Sequence, residues 1–238
     1  MLYLVATLVS LSQTNAYADK PLAAIDIGHC VTRPGASSAR GLPEYGFNVK
    51  VAEALNEALL GTDQWSTLLI KADNCLTLTE RPAAANNQNA DVFVSTHHNS
   101  IISKYLSTWQ FHGHKRFFCD KFPGYSVYYS SLNRQPEESR RLAEAVSSAL
   151  NRAGFPSHKH PLDEREQKGI VLINERTGLY KFDSLAVLKG AAMPGILIEC
   201  GMIIDRNEEL ELTRPAHQKR MSDAIRSGLD QFWKNRKS

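Results

Sequence analysis

Short apolar segments that alternate with amphipathic helical segments constrain this chain more than any other feature. Three apolar segments stop directly before a side chain that is costly to bury: residues 22–27 before His29, residues 91–96 before His97, and residues 192–198 before Glu199. Further strands are predicted over 67–71 and 124–129, and helices over 44–60, 80–90, 136–153 and from about residue 215. This order predicts an α/β fold, with a mostly parallel, twisted sheet of about six strands sandwiched between helices.

The first 18 residues carry no charge and differ from the rest of the chain. Leu2 to Leu11 is apolar but too short to span a bilayer as a helix, and residues 16–18 (Ala-Tyr-Ala) resemble a signal-peptidase site. We therefore predict a signal peptide over residues 1–18, a single domain over residues 19–238, and an exported protein that is periplasmic or extracellular. The positively charged start of a signal peptide is missing, so a buried N-terminal strand or helix is the alternative.

Composition limits the classes of partner. The chain has 238 residues and is 42% hydrophobic, which suits one domain with a full core. A net charge of +3 is too weak to indicate a nucleic-acid partner, but it is compatible with an anionic one. No segment after the first reaches transmembrane length, so no membrane span is expected in the mature chain.

The polar residues at the strand ends form a set that suits a catalytic metal. Ligands of parallel sheets bind beyond the carboxyl ends of the strands, so these residues are expected at one edge. Glu44 opens a helix directly after the loop that leaves His29, and it can reach back toward that histidine. Two histidines and one carboxylate are ligands that catalytic Zn²⁺ takes, with a fourth position open. We therefore predict His29, Glu44 and His97 as zinc ligands.

Glu199 is predicted to be the catalytic acid/base. It ends an otherwise apolar run, and glutamate is rarely buried without a partner. Zinc lowers the pKa of water toward neutrality, and a second carboxylate can then take the proton and pass it to the leaving group.

Other residues could also bind metal. His98 is an alternative to His97, although the alternation of a strand would point it to the opposite side. Cys30 could be a soft ligand, but a core position at a strand end is the favoured interpretation. A second site could be formed by the four histidines His112, His114, His158 and His160. Their segments lack periodicity, so exposed surface positions are favoured for them.

The cysteines leave the disulfide pattern open. Cys30, Cys75, Cys119 and Cys200 allow three pairings. Cys30 and Cys200 each follow a proposed site residue at a strand end, so a bond between them is one hypothesis. Two free thiols that fill core space are the favoured alternative.

Four stretches of the chain resemble motifs of the zinc-dependent N-acetylmuramoyl-L-alanine amidases. That family shows the patterns I-D-P-G-H-G-G, G-x-x-E, F-V-S-I-H-A-N and P-A-V-L-V-E-x-G-F. The matching stretches here are Ile25–Cys30 (IDIGHC), Gly41–Glu44 (GLPE), Phe93–Asn99 (FVSTHHN) and Pro194–Met202 (PGILIECGM). Arg81–Asn86 and Gly124–Tyr129 match two weaker patterns, and the resemblance extends in order over about residues 22–232.

This resemblance implies an activity and a role for each residue. The bond cut by the family joins the lactyl group of N-acetylmuramic acid to L-alanine in bacterial peptidoglycan. By motif, His29, Glu44 and His97 correspond to the zinc ligands and Glu199 to the catalytic glutamate. Cys30 replaces a glycine of the family pattern, and the loop over 101–124 is longer than in compact members. The resemblance implies peptidoglycan as the partner and leaves an activator protein unknown.

Two other functions remain open from the sequence. The first is a zinc peptidase or carboxypeptidase on a related sheet, for which Arg165 and Arg176 are candidate clamps for a substrate carboxylate. The second is a non-catalytic relative that only binds peptidoglycan. A binding module has no need of a general base, so the presence of Glu199 favours the enzyme.

Overall fold

The computed structural model describes residues 20–71 and 75–236. The signal peptide predicted for residues 1–18 lies outside the described residues. In chain order, the helices and strands are β1 (Leu22–Ile27), α1 (Glu44–Leu60), β2 (Ser66–Ile70), α2 (Glu80–Asn87), β3 (Val92–Asn99), β4 (Ser107–Phe111), β5 (His114–Phe118), β6 (Ser126–Tyr129), α3 (Pro136–Arg152), α4 (Leu162–Lys168), β7 (Val171–Asn174), β8 (Leu179–Lys181), α5 (Ala186–Gly190), β9 (Gly195–Met202), α6 (Glu208–Leu212) and α7 (Pro215–Arg236).

Seven of these strands form one sheet in the order β2-β1-β3-β9-β6-β8-β7. The first four are parallel to one another, so their carboxyl ends lie at the same edge. β6 runs antiparallel to β9, and β7 runs antiparallel to β8. The predicted α/β fold with a mostly parallel sheet is confirmed, with seven strands where about six were expected.

Helices cover both faces of the sheet. Along β1, Ala23, Ile25 and Ile27 pack in one apolar cluster with residues of α1, α3 and α7. Ala24 faces the other way and packs with Phe93 and with residues of α2 and α5. Because successive side chains of a strand point to opposite faces, one apolar run supplies both layers of the core.

The prediction of a long surface loop over residues 101–124 is wrong for part of that segment. The strands β4 and β5 form a two-stranded antiparallel ribbon within it. His112 and Gly113 connect them, and both have positive φ, of 49° and 77°, as a tight hairpin turn requires. Trp109 Nε1 donates a hydrogen bond of 3.0 Å to the carbonyl of Ala39, so the ribbon is attached to the loop before α1.

No helix in the described part of the chain combines the length and the apolar character that crossing a bilayer requires.

Candidate active site

The structure brings His29, Glu44 and His97 together at the carboxyl edge of the sheet. His29 Nε2 lies 3.0 Å from Glu44 Oε2, and His97 Nδ1 lies 3.1 Å from Glu44 Oε1. One ligand atom from each of the three residues lies within 4.8 Å of the others. Glu44 is buried, whereas both histidines are partly exposed. The donor set of two imidazoles and a carboxylate therefore fits a zinc ion that solvent and substrate can reach.

Glu44 is held in the ionised form that a metal ligand needs. Burial on its own would raise the pKa of Glu44, but hydrogen bonds with His29 and His97 outweigh burial and hold that pKa well below its usual range. The backbone N–H of Ala36 also donates to Oε2, at 3.0 Å. The position of Glu44 as the first residue of α1 favours a negative charge as well.

Asn48 and Arg81 hold the backbone around the candidate ligands. Asn48 Nδ2 donates to the carbonyl of Gly28 at 3.1 Å and to Glu44 Oε1 at 3.2 Å. Arg81 Nη2 donates to the carbonyl of His29 at 2.6 Å, while its Nη1 pairs with Asp26 Oδ1 at 2.8 Å. Asp26 and Arg81 are both buried, so the ion pair is shielded from solvent. No role was predicted for Asp26, Asn48 or Arg81 from the sequence, although an aspartate inside the apolar run of β1 is a signal that could have identified the ion pair.

Two glycines make room for the ligands. A Cβ on Gly28 would lie 2.4 Å from atoms of the His97 ring. Gly35 has a φ of +79°, and a Cβ there would lie 2.4 Å from Glu44 Oε2. Any larger residue would collide with His97 at Gly28 or with Glu44 at Gly35, and at Gly35 it would also strain the backbone.

Glu199 lies beside the cluster of His29, Glu44 and His97, on the neighbouring strand. It pairs with His97 in the register between β3 and β9. The residue keeps some solvent exposure, but its Oε2 is buried and has no hydrogen-bond partner. Burial, and then the negative charge of Glu44, raise the pKa of Glu199 well above its usual range. A carboxyl group with a high affinity for protons therefore faces the ligand cluster.

His98 points away from this cluster and into the protein. It is buried, and its Nδ1 lies 2.8 Å from Asn48 Oδ1. Burial lowers the pKa of His98 to about 3, so this imidazole is neutral. Because β3 continues through Asn99, the alternation of the strand separates His97 from His98.

The prediction of exposed positions for four further histidines is wrong for two of them. His112 and His114 are exposed on the ribbon, but His158 and His160 are buried beside Glu164. One ligand atom from each of these three buried residues lies within 4.8 Å of the others. A glutamate four residues after a His-x-His pattern was the signal that could have identified the cluster.

The hypothesis of a disulfide between Cys30 and Cys200 is wrong. Cys30 is bonded to Cys75, with their Cα atoms 5.3 Å apart. The core position favoured for Cys30 is confirmed, but the expectation that its thiol is free is wrong. Cys119 and Cys200 are free and buried. β3 lies between β1 and β9, and two strand spacings of about 4.8 Å each exceed the reach of a disulfide.

Comparisons with known proteins match most of the chain. Residues 23–231 match the sequence model of the N-acetylmuramoyl-L-alanine amidase family. The chain is 27% identical over 209 residues to the uncharacterised protein YqiI of Bacillus subtilis, covering 88% of this chain and 83% of that protein. It is 24% identical over 210 residues to the amidase LytC of the same organism, covering 88% of this chain and 35% of LytC.

A solved structure has the same fold. The N-acetylmuramoyl-L-alanine amidase of Clostridium difficile 630 superposes with a TM-score of 0.70 at 23% identity, over 91% of this chain and 98% of the other. The family match spans nearly the whole described part of the chain, including all four predicted site residues. The resemblance drawn from the sequence motifs is thereby confirmed, and this chain belongs to the N-acetylmuramoyl-L-alanine amidase family.

Proposed function

We propose that this chain hydrolyses the amide bond between the lactyl group of N-acetylmuramic acid and L-alanine in peptidoglycan, with Zn²⁺ held by His29, Glu44 and His97. The family match supports the reaction. The observation that carries the assignment of residues is the position of Glu199, a partly buried carboxyl group paired across the sheet with the ligand His97. A carboxyl group with a raised proton affinity beside a metal site is suited to general acid/base catalysis.

Each of the three proposed ligands contributes a donor atom to the ion. His29 and His97 supply nitrogen donors, and Glu44 supplies the negative charge. When bound, Zn²⁺ supplies Lewis acidity, which makes water more acidic and polarises a carbonyl group. Arg81 and Asn48 fix the backbone on either side of His29, so the donors are held in place before substrate arrives.

Glu199 is proposed to move the proton. Its carboxylate takes a proton from the attacking water and then gives that proton to the leaving nitrogen of L-alanine. The raised pKa of Glu199 suits this transfer, because a stronger affinity for protons makes its carboxylate a better base for the first step. The orphaned Oε2 has no protein partner to compete for that proton.

Export of the protein is also part of the proposal. The bond between Cys30 and Cys75 supports it, because structural disulfides persist mainly outside the cytosol. We propose that residues 1–18 are removed and that the mature chain begins near Asp19. The intact mass of the protein recovered from the export compartment tests this cleavage point.

Digestion of a defined disaccharide tetrapeptide, followed by mass spectrometry, tests the reaction. The expected products are the disaccharide with a free lactyl carboxylate and the peptide with a free amino group on L-alanine. Removal of zinc by a chelator should abolish their formation, and added zinc should restore it. Loss of only the C-terminal D-alanine would instead indicate a carboxypeptidase, and an unchanged muropeptide would indicate a binding protein.

A further inference from the structure

A second cluster of metal-ligating side chains lies outside the proposed active site. His158 and His160 belong to the segment after α3, and Glu164 belongs to α4. His158 Nε2 lies 3.1 Å from His160 Nδ1, which lies 3.2 Å from Glu164 Oε2. The three residues are 0%, 7% and 0% exposed, so bulk solvent does not reach these atoms. The spacing is close to that of the first ligand set, at 3.0 and 3.1 Å.

The hydrogen bonds around the cluster leave too few protons inside it. His158 Nδ1 lies 2.6 Å from the carbonyl of Phe122, and only an N–H can donate to that oxygen. A neutral His158 therefore presents a bare Nε2 to the cluster. His160 Nε2 is hydrogen-bonded to the hydroxyl of Tyr128 and therefore lies outside the cluster. His160 Nδ1, which faces the cluster, can carry at most one proton. That single proton cannot satisfy both His158 Nε2 and Glu164 Oε2, and one buried acceptor lacks a donor.

We propose that His158, His160 and Glu164 bind a second ion of the zinc class, separate from the one at the active site. An ion at the centre would satisfy all three acceptor atoms at once. Two imidazoles and one carboxylate suit zinc rather than calcium or magnesium, which prefer oxygen ligands. A backbone carbonyl on the far nitrogen of His158 is the usual arrangement behind a metal-binding histidine.

The surroundings indicate a structural role for this ion. Tyr180 donates its hydroxyl hydrogen to the carbonyl of His158 at 2.8 Å, and the N–H of His158 donates to the carbonyl of Tyr125 at 2.8 Å. Lys168 Nζ donates to the other carboxylate oxygen of Glu164 at 2.7 Å. The cluster therefore connects α4 to the strands β6 and β8, and its burial is typical of a closed structural site rather than a catalytic one.

Counting ions on the folded chain tests the proposal. Native mass spectrometry after equilibration with zinc and removal of excess metal should show two ions per wild-type chain. The variant Glu164→Gln, which keeps the shape of the side chain but weakens its ligation, should retain one ion. The variant His97→Ala should also retain one, and the double variant should retain none.

Glu166→Gln is the matched control, because Glu166 is an exposed acid on the same helix and lies outside the cluster. It should keep both ions. One ion on the wild type together with none on His97→Ala would overturn the second site, even if Glu164→Gln did not fold. Because the His97→Ala arm reports on the first site alone, a failure of the second site is distinguishable from a failure of the proposed function.

Discussion

Gly28 leaves the space that the imidazole of His97, a proposed zinc ligand, occupies. A Cβ at Gly28 would lie 2.4 Å from the imidazole of His97, which is closer than real Cβ contacts. We expect Gly28→Ala to displace the His97 ring and to lower zinc occupancy at the active site, with activity falling in parallel. Measurement of bound zinc after dialysis against a weak chelator checks this expectation.

Gly46→Ala provides a matched control for that substitution. Gly46 lies within α1 on the exposed side, and a Cβ there would meet nothing within 4 Å. Alanine has a higher helix propensity than glycine, by at most about 1 kcal/mol, so this variant in the first turn of α1 should be at least as stable and should keep its zinc. Equal zinc occupancy in both alanine variants would contradict the role given to Gly28.

Glu199 is the residue on which the proposed proton transfer depends. Glu199→Gln keeps the shape of the side chain but cannot accept a proton from water. We expect kcat on a defined muropeptide to fall by about 100- to 10,000-fold, the usual range for a positioned acid/base. Zinc content should not change, since Glu199 is not a proposed ligand. A variant that retains near-normal kcat would remove Glu199 from the mechanism.

At the level of single residues, the sequence indicated the proposed ligands and the proposed acid/base, but not the residues that hydrogen-bond to the backbone around them. His29, Glu44, His97 and Glu199 follow apolar runs or open a helix, so their positions stand out. Asn48 and Arg81 lie inside helices, where a polar residue normally faces solvent. Only the packed structure reveals that Arg81 is buried and donates to the carbonyl of His29.

The loops after β1 and β2 are joined by the bond between Cys30 and Cys75. Arg33 Nη2 also donates to the carbonyl of Cys75 at 2.6 Å, so the two loops are held in contact. The bond spans a sequence separation of 45 residues. Chain-entropy reasoning for a loop of this length gives a stabilisation of about 4 kcal/mol. We expect a reductant to lower the free energy of unfolding by up to that amount, measured by urea denaturation.

The double variant Cys30→Ala, Cys75→Ala provides the control for this prediction. It should be destabilised without reductant and should not respond to reductant further. Alkylation of the denatured, unreduced wild type should modify two thiols, those of Cys119 and Cys200. Modification of all four cysteines would show that the bond does not form.

Among the elements, the sequence predicted those with one clear periodicity. β1 and α1 were found at their observed bounds, because an unbroken apolar run and a helical repeat leave few alternatives. The ribbon β4–β5 was missed, since its face of Trp109, Phe111 and Phe118 is interrupted by charged residues and packs against Arg40 and Arg206. Aromatic residues that pack against arginines produce no apolar run that a sequence pattern can detect.

At the level of the whole molecule, the order of the strands could not be read from the chain. The sequence indicated that β1, β3 and β9 end in site residues, but not that β3 lies between the other two. That order explains why Cys30 pairs with Cys75, which follows the adjacent strand β2, rather than with Cys200. Local patterns determine which residues lie at an edge, whereas packing of the helices determines which strands are neighbours.

The stability of the whole fold should depend on pH through the buried His98. Burial lowers the pKa of His98 to about 3, so the folded chain keeps this imidazole neutral under mildly acidic conditions. The unfolded chain takes up a proton below a pH of about 6.5, so the free energy of unfolding must fall as pH falls. Between about pH 7 and about pH 5, this single group should remove about 2 kcal/mol.

Urea denaturation of wild type and His98→Gln at these two pH values, with a chelator present, isolates the contribution of His98. Other groups, including the buried Glu208 whose pKa burial raises to about 7, act equally in both proteins. The glutamine does not titrate, so the variant should start less stable at neutral pH but should lose less on acidification. An identical loss in both proteins would mean that His98 is not held neutral in the folded state. The chelator keeps both proteins free of metal, so that loss of zinc does not contribute to the measured change.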